Sequence, residues 1–215
     1  MYMIKQSKVK ELRNKYDKYL TPYSVIQQLL DAIVIDKHAS ILEPCCSTEK
    51  TIVSVLQRNG FNNVAFNIYD ETKPETDFLT FDETLKYDYI ITNTPYGNKN
   101  IIRFINKMKK IATKQIYCLY QLSMLCGTTN YNEIWNDNEY KLKEVYVLVR
   151  PVWLENTIRA DGKYKTGITQ YAWFCWEKNY VGEPIIKHID NTCYVLRKSD
   201  KLDEVQQSHD SSSSS

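Results

Sequence analysis

The strongest constraint on the fold is a regular alternation of short apolar stretches with segments of helical periodicity. Thr21-Pro22 punctuates the start of SVIQQLLDAIVI, whose apolar residues recur at helical spacing. Ser40-Ile41-Leu42-Glu43 then reads as a buried strand ending at Pro44, followed by a polar loop and the helical pattern TIVSVLQRNG, which Gly60 closes as a C-cap. Further strands are expected at Asn63–Ile68, Tyr87–Ile91 and Gln115–Gln121, with a helix near Asn100–Ala112 between the last two. Strands alternating with helices at this spacing imply crossover units, hence an α/β fold with a mostly parallel sheet and helices on both faces. Two later strands, Glu144–Trp153 and Thr169–Glu177, lack a helix between them and are expected as an antiparallel pair at the sheet edge, joined by the polar loop Leu154–Gly167. Residues 4–18 read as a further helix, and the tail from Ser199, ending in five serines, as disordered, which leaves one domain over residues 1–198.

Composition narrows the function classes. A chain of 215 residues with 43% hydrophobic and 25% charged residues can bury a core, which excludes a disordered chain, and its apolar runs are too short to cross a bilayer. The formal net charge is only +2, so nucleic-acid binding has to be argued from the distribution of charge. Six cysteines without a C-x-x-C pair, and an N-terminus lacking an apolar signal region, point to free thiols in a reducing cytoplasm. His38, His188 and His209 are scattered without metal-ligand spacing, so no metal is expected.

The chemistry is concentrated in YDYIITNTPYGN, residues 87–98, where an apolar strand runs into Asn-Thr-Pro-Tyr-Gly. Polar groups are thereby held at the carboxyl end of a strand, the edge at which open parallel sheets bind ligands. Asn93 offers a side-chain carbonyl, Thr94 a main-chain carbonyl, Pro95 a stiffened turn and Tyr96 a flat stacking surface. Two acceptors and an aromatic plane suit a planar ring with an exocyclic amine. Engaging both N–H bonds helps localise a nitrogen lone pair otherwise delocalised into the ring. An ordinary turn is the alternative use of the same residue types.

Asn93-Thr94-Pro95-Tyr96 resembles the N/D-P-P-Y/F signature of class I S-adenosylmethionine-dependent amino methyltransferases, particularly the N6-adenine enzymes. Tyr19-Leu20-Thr21-Pro22 resembles the family's motif X, Ile41-Leu42-Glu43-Pro44 the start of its cofactor loop, and Asp77-Phe78-Leu79 its D-F-L element, all in family order. Tyr171–Trp176 resembles a late strand of small phage and bacterial members, so the resemblance spans roughly residues 15–180. It implies a Rossmann-like methyltransferase fold with S-adenosylmethionine as cofactor, held by Tyr19, Thr21, Pro22, Glu43, Pro44, Cys45, Asn67, Asp77 and Phe78. It further implies that Asn93, Thr94, Pro95 and Tyr96 present adenine N6 of DNA for methylation.

The chain departs from the family pattern at three points. Ser47 and Glu49 stand where the cofactor loop carries glycines, Asn67 where an acidic residue binds ribose, with Asp70 as a substitute, and Thr94 where the signature has its first proline. Glu49 in particular threatens to fill the cofactor site. The same loop, PCCSTEKT, overlays a phosphate-binding loop, but both glycines that such a loop requires are missing. Six basic residues and no acidic one lie between Asn98 and Lys114, and Lys99 and Arg103 there, with Arg150, Lys163 and Lys165 around the late loop, are candidate nucleic-acid contacts; a solvated helix face is the competing reading. Target specificity is expected of loops near 123–143 and 154–167. Two other functions stand beside the first: a non-catalytic relative acting as a nucleic-acid-binding or partner subunit, alone or in a homo- or hetero-oligomer, and methylation of an RNA amine or a protein glutamine.

Overall fold

The computed structural model describes residues 20–95, 98–135, 137–149 and 169–189, with only the backbone for Asn98 and Lys99. Its centre is a seven-stranded sheet in the order β2-β1-β3-β4-β6-β5-β7, formed by β1 (Ile41–Glu43), β2 (Val64–Phe66), β3 (Tyr87–Thr92), β4 (Ala112–Gln121), β5 (Tyr140–Leu148), β6 (Tyr171–Lys178) and β7 (Ile185–Ile189). The pairs among β2, β1, β3 and β4 are parallel, and β6 runs antiparallel to both β4 and β5. Helices α1 (Tyr23–Ala32), α2 (Thr51–Arg58) and α3 (Asn98–Ile111) cover it.

Strand alternation assigns the two faces. Ile116, Cys118 and Tyr120 of β4, with Phe174 and Trp176 of β6, pack with Ile101, Phe104, Ile105 and Met108 of α3. Tyr117 and Leu119, with Trp173 and Cys175, join the opposite layer with Val25, Ile26 and Leu29 of α1 and Val55 and Leu56 of α2. Trp173 and Trp176 therefore belong to different faces, as their odd spacing predicts, and both are fully buried. Among the described residues no helix is long and apolar enough to cross a membrane.

The expected α/β architecture is present, with corrections at its margins. The second strand is shorter than Asn63–Ile68, the third helix begins at Asn98, and β4 starts at Ala112. The antiparallel strand is not at the edge. β6 lies inside the sheet, and β7, absent from the sequence reading, pairs in parallel with β5 and forms the border. Its burial pattern explains the omission, because four of its five residues are exposed and no inward face marks the segment as a strand. The expected specificity loop 123–143 is folded instead. Ile134 is buried, the Trp135 ring stacks on Trp176 at 5.6 Å, and residues from Tyr140 onward belong to β5. The helix at 4–18, the loop 154–167 and the serine tail lie outside the described residues.

Candidate active site

The carboxyl ends of β1 and β3 lie side by side where the order of the parallel strands reverses, since β2 flanks β1 on one side and β4 flanks β3 on the other. Such a switch point opens a crevice above the strand ends. Glu43 ends β1 with 1% of its surface exposed. One carboxylate oxygen, Oε1, accepts from Thr92 Oγ1 at 2.8 Å and from the Cys45 N–H at 3.2 Å, whereas Oε2 is buried without a partner. Burial pushes the Glu43 pKa up to about 8, against the pull of those two hydrogen bonds. Ser47 Oγ is likewise buried without a partner. Glu43 and Ser47 line one hollow, completed by Thr21, Cys45, Cys46, Thr51, Ile52 and Asn93.

The segment leaving β3 is tethered at three successive side chains: Thr92 Oγ1 donates to Glu43 Oε1 of β1 at 2.8 Å, Asn93 Nδ2 to Thr21 Oγ1 at 3.0 Å, and Thr94 Oγ1 to the Tyr120 hydroxyl of β4 at 2.8 Å. Each bond reaches a different part of the fold, so a segment that would otherwise be a turn is held in one place. Pro95 follows at once and restricts the backbone further.

The loop after β1 holds ordinary backbone at both positions where the glycines are missing. Among the described non-glycine residues only Lys50 and Asn179 have positive φ, so Ser47 and Glu49 hold ordinary backbone conformations. The left-handed position is Lys50, at φ 52°, immediately before α2, with its ammonium 4.4 Å from the centre of the Phe66 ring. Glu49 is exposed and lies outside the lining of the hollow. The threat that its side chain fills the cofactor site is thereby removed.

Asn67 is a clasp. Its Nδ2 donates to the carbonyls of Pro44 at 3.1 Å and Thr76 at 2.9 Å, while its main chain bonds Glu43 and Cys46. An aspartate has no N–H to offer those two carbonyls, which explains the amide here. Its remaining acceptor is Oδ1. Asp70, the proposed substitute, belongs to its own turn: its carboxylate accepts from the N–H and hydroxyl of Thr72 and pairs with Lys73 at 3.5 Å. Asp77 caps the short helix Phe78–Thr80 by accepting from Leu79 N–H at 3.0 Å. The Phe78 ring, expected at the cofactor, is a core residue stacked on Phe104 at 6.0 Å and 2% exposed.

Burial pushes the Cys46 thiol up to about 12 and the Cys45 thiol upward as well, so neither supplies a thiolate nucleophile. The basic run of α3 and its flank is largely occupied within the fold. Lys107 and Lys110 pair with Glu83 at 3.2 and 3.0 Å, Lys114 with Asp88 at 3.1 Å, and Lys109, 7% exposed at its side chain, with Asp137 at 2.7 Å. These four lysines are taken up by ion pairs within the fold, whereas Arg103 is exposed.

The structure thus gathers Thr21, Glu43, Cys45 and Asn93 around one hollow, with Thr94 tethered behind it and the buried Pro44 and Pro22 at the ends of flanking segments. Tyr19, Tyr96, Arg150, Lys163, Lys165 and the side chain of Lys99 lie outside the described residues. Thr92 and Tyr120, the partners that fix Glu43 and Thr94, escaped sequence reading. Position at a strand's end was the available signal for Thr92; for Tyr120, one of 17 tyrosines, there was none.

No protein-family profile matches the chain, and no curated protein is significantly similar. Solved structures do match. The type I restriction-modification methyltransferase subunit from Streptococcus thermophilus aligns with TM-score 0.57 at 10% identity, over 94% of this chain and 55% of that one. A structure from a study of the assembly and conformational transition of the type I restriction-modification system aligns with TM-score 0.56 at 11% identity, over 87% and 49%. The M protein of the type I restriction enzyme EcoKI gives TM-score 0.54 at 10% identity, over 76% and 44%. The chain has the Rossmann-like fold of S-adenosylmethionine-dependent methyltransferases. It spans about half the length of the matched structures.

Proposed function

We propose that this protein transfers a methyl group from S-adenosylmethionine to an exocyclic amine, the N6 of adenine in DNA. The observation that carries the reading is the pairing, at one switch point, of a buried carboxylate oxygen lacking a partner, Glu43 Oε2, with the tethered Asn93-Thr94-Pro95 segment. An uncompensated buried carboxylate is costly, and a ligand bearing an ammonium group supplies its complement. The cofactor has such a group, hydroxyls that suit Ser47 Oγ and Asn67 Oδ1 as hydrogen-bond partners, and an adenine amine that suits the Asp77 carboxylate. These residues fit it. When bound, it supplies an electrophilic methyl carbon on a sulfonium.

The remaining work belongs to the chain. Thr21, by accepting from Asn93 Nδ2, sets the amide plane and assigns Oδ1 as the acceptor for one N–H of the substrate amine. The Thr94 carbonyl takes the other. Accepting both hydrogens raises electron density on nitrogen and holds it oriented for attack. Tyr96 is assigned the stacking surface for a base drawn out of its helix, and exposed Arg103, with Lys99, Arg150, Lys163 and Lys165, the phosphate contacts. The missing loop glycines do not favour a non-catalytic relative, since neither Ser47 nor Glu49 needs glycine's conformations.

Calorimetric titration with S-adenosylmethionine tests the reading. Binding at micromolar cofactor is expected, at least tenfold weaker in Glu43→Gln. Asn93→Ala should bind the cofactor normally yet transfer at least 100-fold more slowly. Silence of the unaltered protein at millimolar cofactor would contradict the reading.

A further inference from the structure

We propose that Tyr120 is a positioning residue for the amine acceptor at Thr94: by accepting from the Thr94 side-chain hydroxyl it anchors the residue whose main-chain carbonyl the sequence leaves without a proline. The activity arm of this inference rests on the proposed function; the tether itself does not.

Thr94 is 1% exposed and Tyr120 fully buried, so their 2.8 Å hydroxyl contact lies beneath the loop, shielded from water. Tyr120 is itself rigidly placed. It sits in register between neighbouring strands, opposite Ala172 of β6, and its ring packs 6.2 Å from Phe174. Burial pushes its pKa upward, so the phenol stays neutral while its oxygen accepts the hydrogen of Thr94 Oγ1. The adjacent tethers fix the residues before Thr94 to β1 and to Thr21, but neither touches the Thr94 peptide. Pro95 confines the ψ of residue 94 to the extended range, and the third tether fixes where within that range the carbonyl of residue 94 is held. A misplacement of about 1 Å at an orienting group costs on the order of 100-fold in rate at the extreme. A shift limited to loosening predicts less.

The test uses Thr94→Val, which keeps shape and removes the hydroxyl, Thr94→Ser, which keeps the hydroxyl, and Tyr120→Phe. Amide hydrogen exchange of the peptide spanning residues 92–98 should quicken about tenfold in Thr94→Val and Tyr120→Phe and stay at the original rate in Thr94→Ser. The maximal rate of methyl transfer should fall about tenfold in the same two variants with the Michaelis constant for cofactor unchanged, and the double variant should be no slower than either alone. Unchanged exchange in both hydroxyl-deleting variants would overturn the tether whatever the activity. Rate losses that multiply in the double variant would overturn the shared role. If no variant nor the parent transfers methyl groups while exchange follows the expected pattern, the function proposed above fails and the tether stands.

Discussion

Glu43 titrates where few carboxylates do. Its folded pKa, pushed up to about 8 by burial, lies above the ordinary value of 4.5, so the folded protein holds a proton there that the unfolded chain releases. The stability this contributes is fully present below about pH 4.5 and is lost as pH rises through about 8. Between pH 5 and 8 the thermal midpoint of the ligand-free protein should therefore decline, and Glu43→Gln should flatten the decline. A cationic ligand reverses the preference by favouring the ionised carboxylate, so cofactor binding should tighten as pH rises over the same range and release a proton, with Glu43→Gln showing neither effect. Lys50 offers a second test at this scale. A left-handed non-glycine residue costs about 1–2 kcal/mol, and the contact with half-exposed Phe66 offsets about 0.5 kcal/mol. Lys50→Gly should raise the urea midpoint by an amount corresponding to about 0.5–1 kcal/mol, whereas glycine at Ser47 or Glu49 should not, because neither has positive φ.

Among the elements, α3 and the turn Tyr131–Trp135 show how a segment that looks like a binding surface can be structural. Lys109 Nζ is held by Asp137 and by the Ile134 carbonyl at 3.3 Å, which joins the helix to the turn. Removing one partner of a buried pair costs about 3–5 kcal/mol, less here because the Asp137 side chain keeps 30% exposure. Lys109→Ala should cost about 2–3 kcal/mol in chemical denaturation, and little change would show the pair to be dispensable. Apolar periodicity made α2, α3, β1, β3 and β4 legible in the sequence, and punctuation marked the ends of α2 at Gly60, β1 at Pro44 and β3 at the turn before Pro95, whereas α3 runs straight into β4 with no residue that stops it. The lysine run could not be resolved the same way: Glu83, Asp88 and Asp137, which pair with it, lie 24 to 28 residues away from the lysines they meet. For β7 the reason is different. A strand with one buried residue in five carries no alternation, and only its pairing with β5 defines it.

For the molecule as a whole, the legible part of the site was its order along the chain, and the illegible part was its depth. The strand end at Glu43 and the turn at Asn93–Pro95 could be ranked as a site from sequence because a parallel sheet brings such ends together. That Glu49 faces outward, that Asn67 joins two carbonyls and that Tyr120 anchors Thr94 are consequences of packing between segments distant in sequence. This chain spans about half the length of the matched methyltransferase subunits.

The most direct measurement is transfer of label from methyl-tritiated S-adenosylmethionine to unmethylated DNA, with RNA and protein as parallel acceptors, followed by hydrolysis and chromatography of the product. The account predicts label in N6-methyladenine from DNA, lost with Asn93→Ala. Cofactor binding without label in adenine from DNA would contradict it.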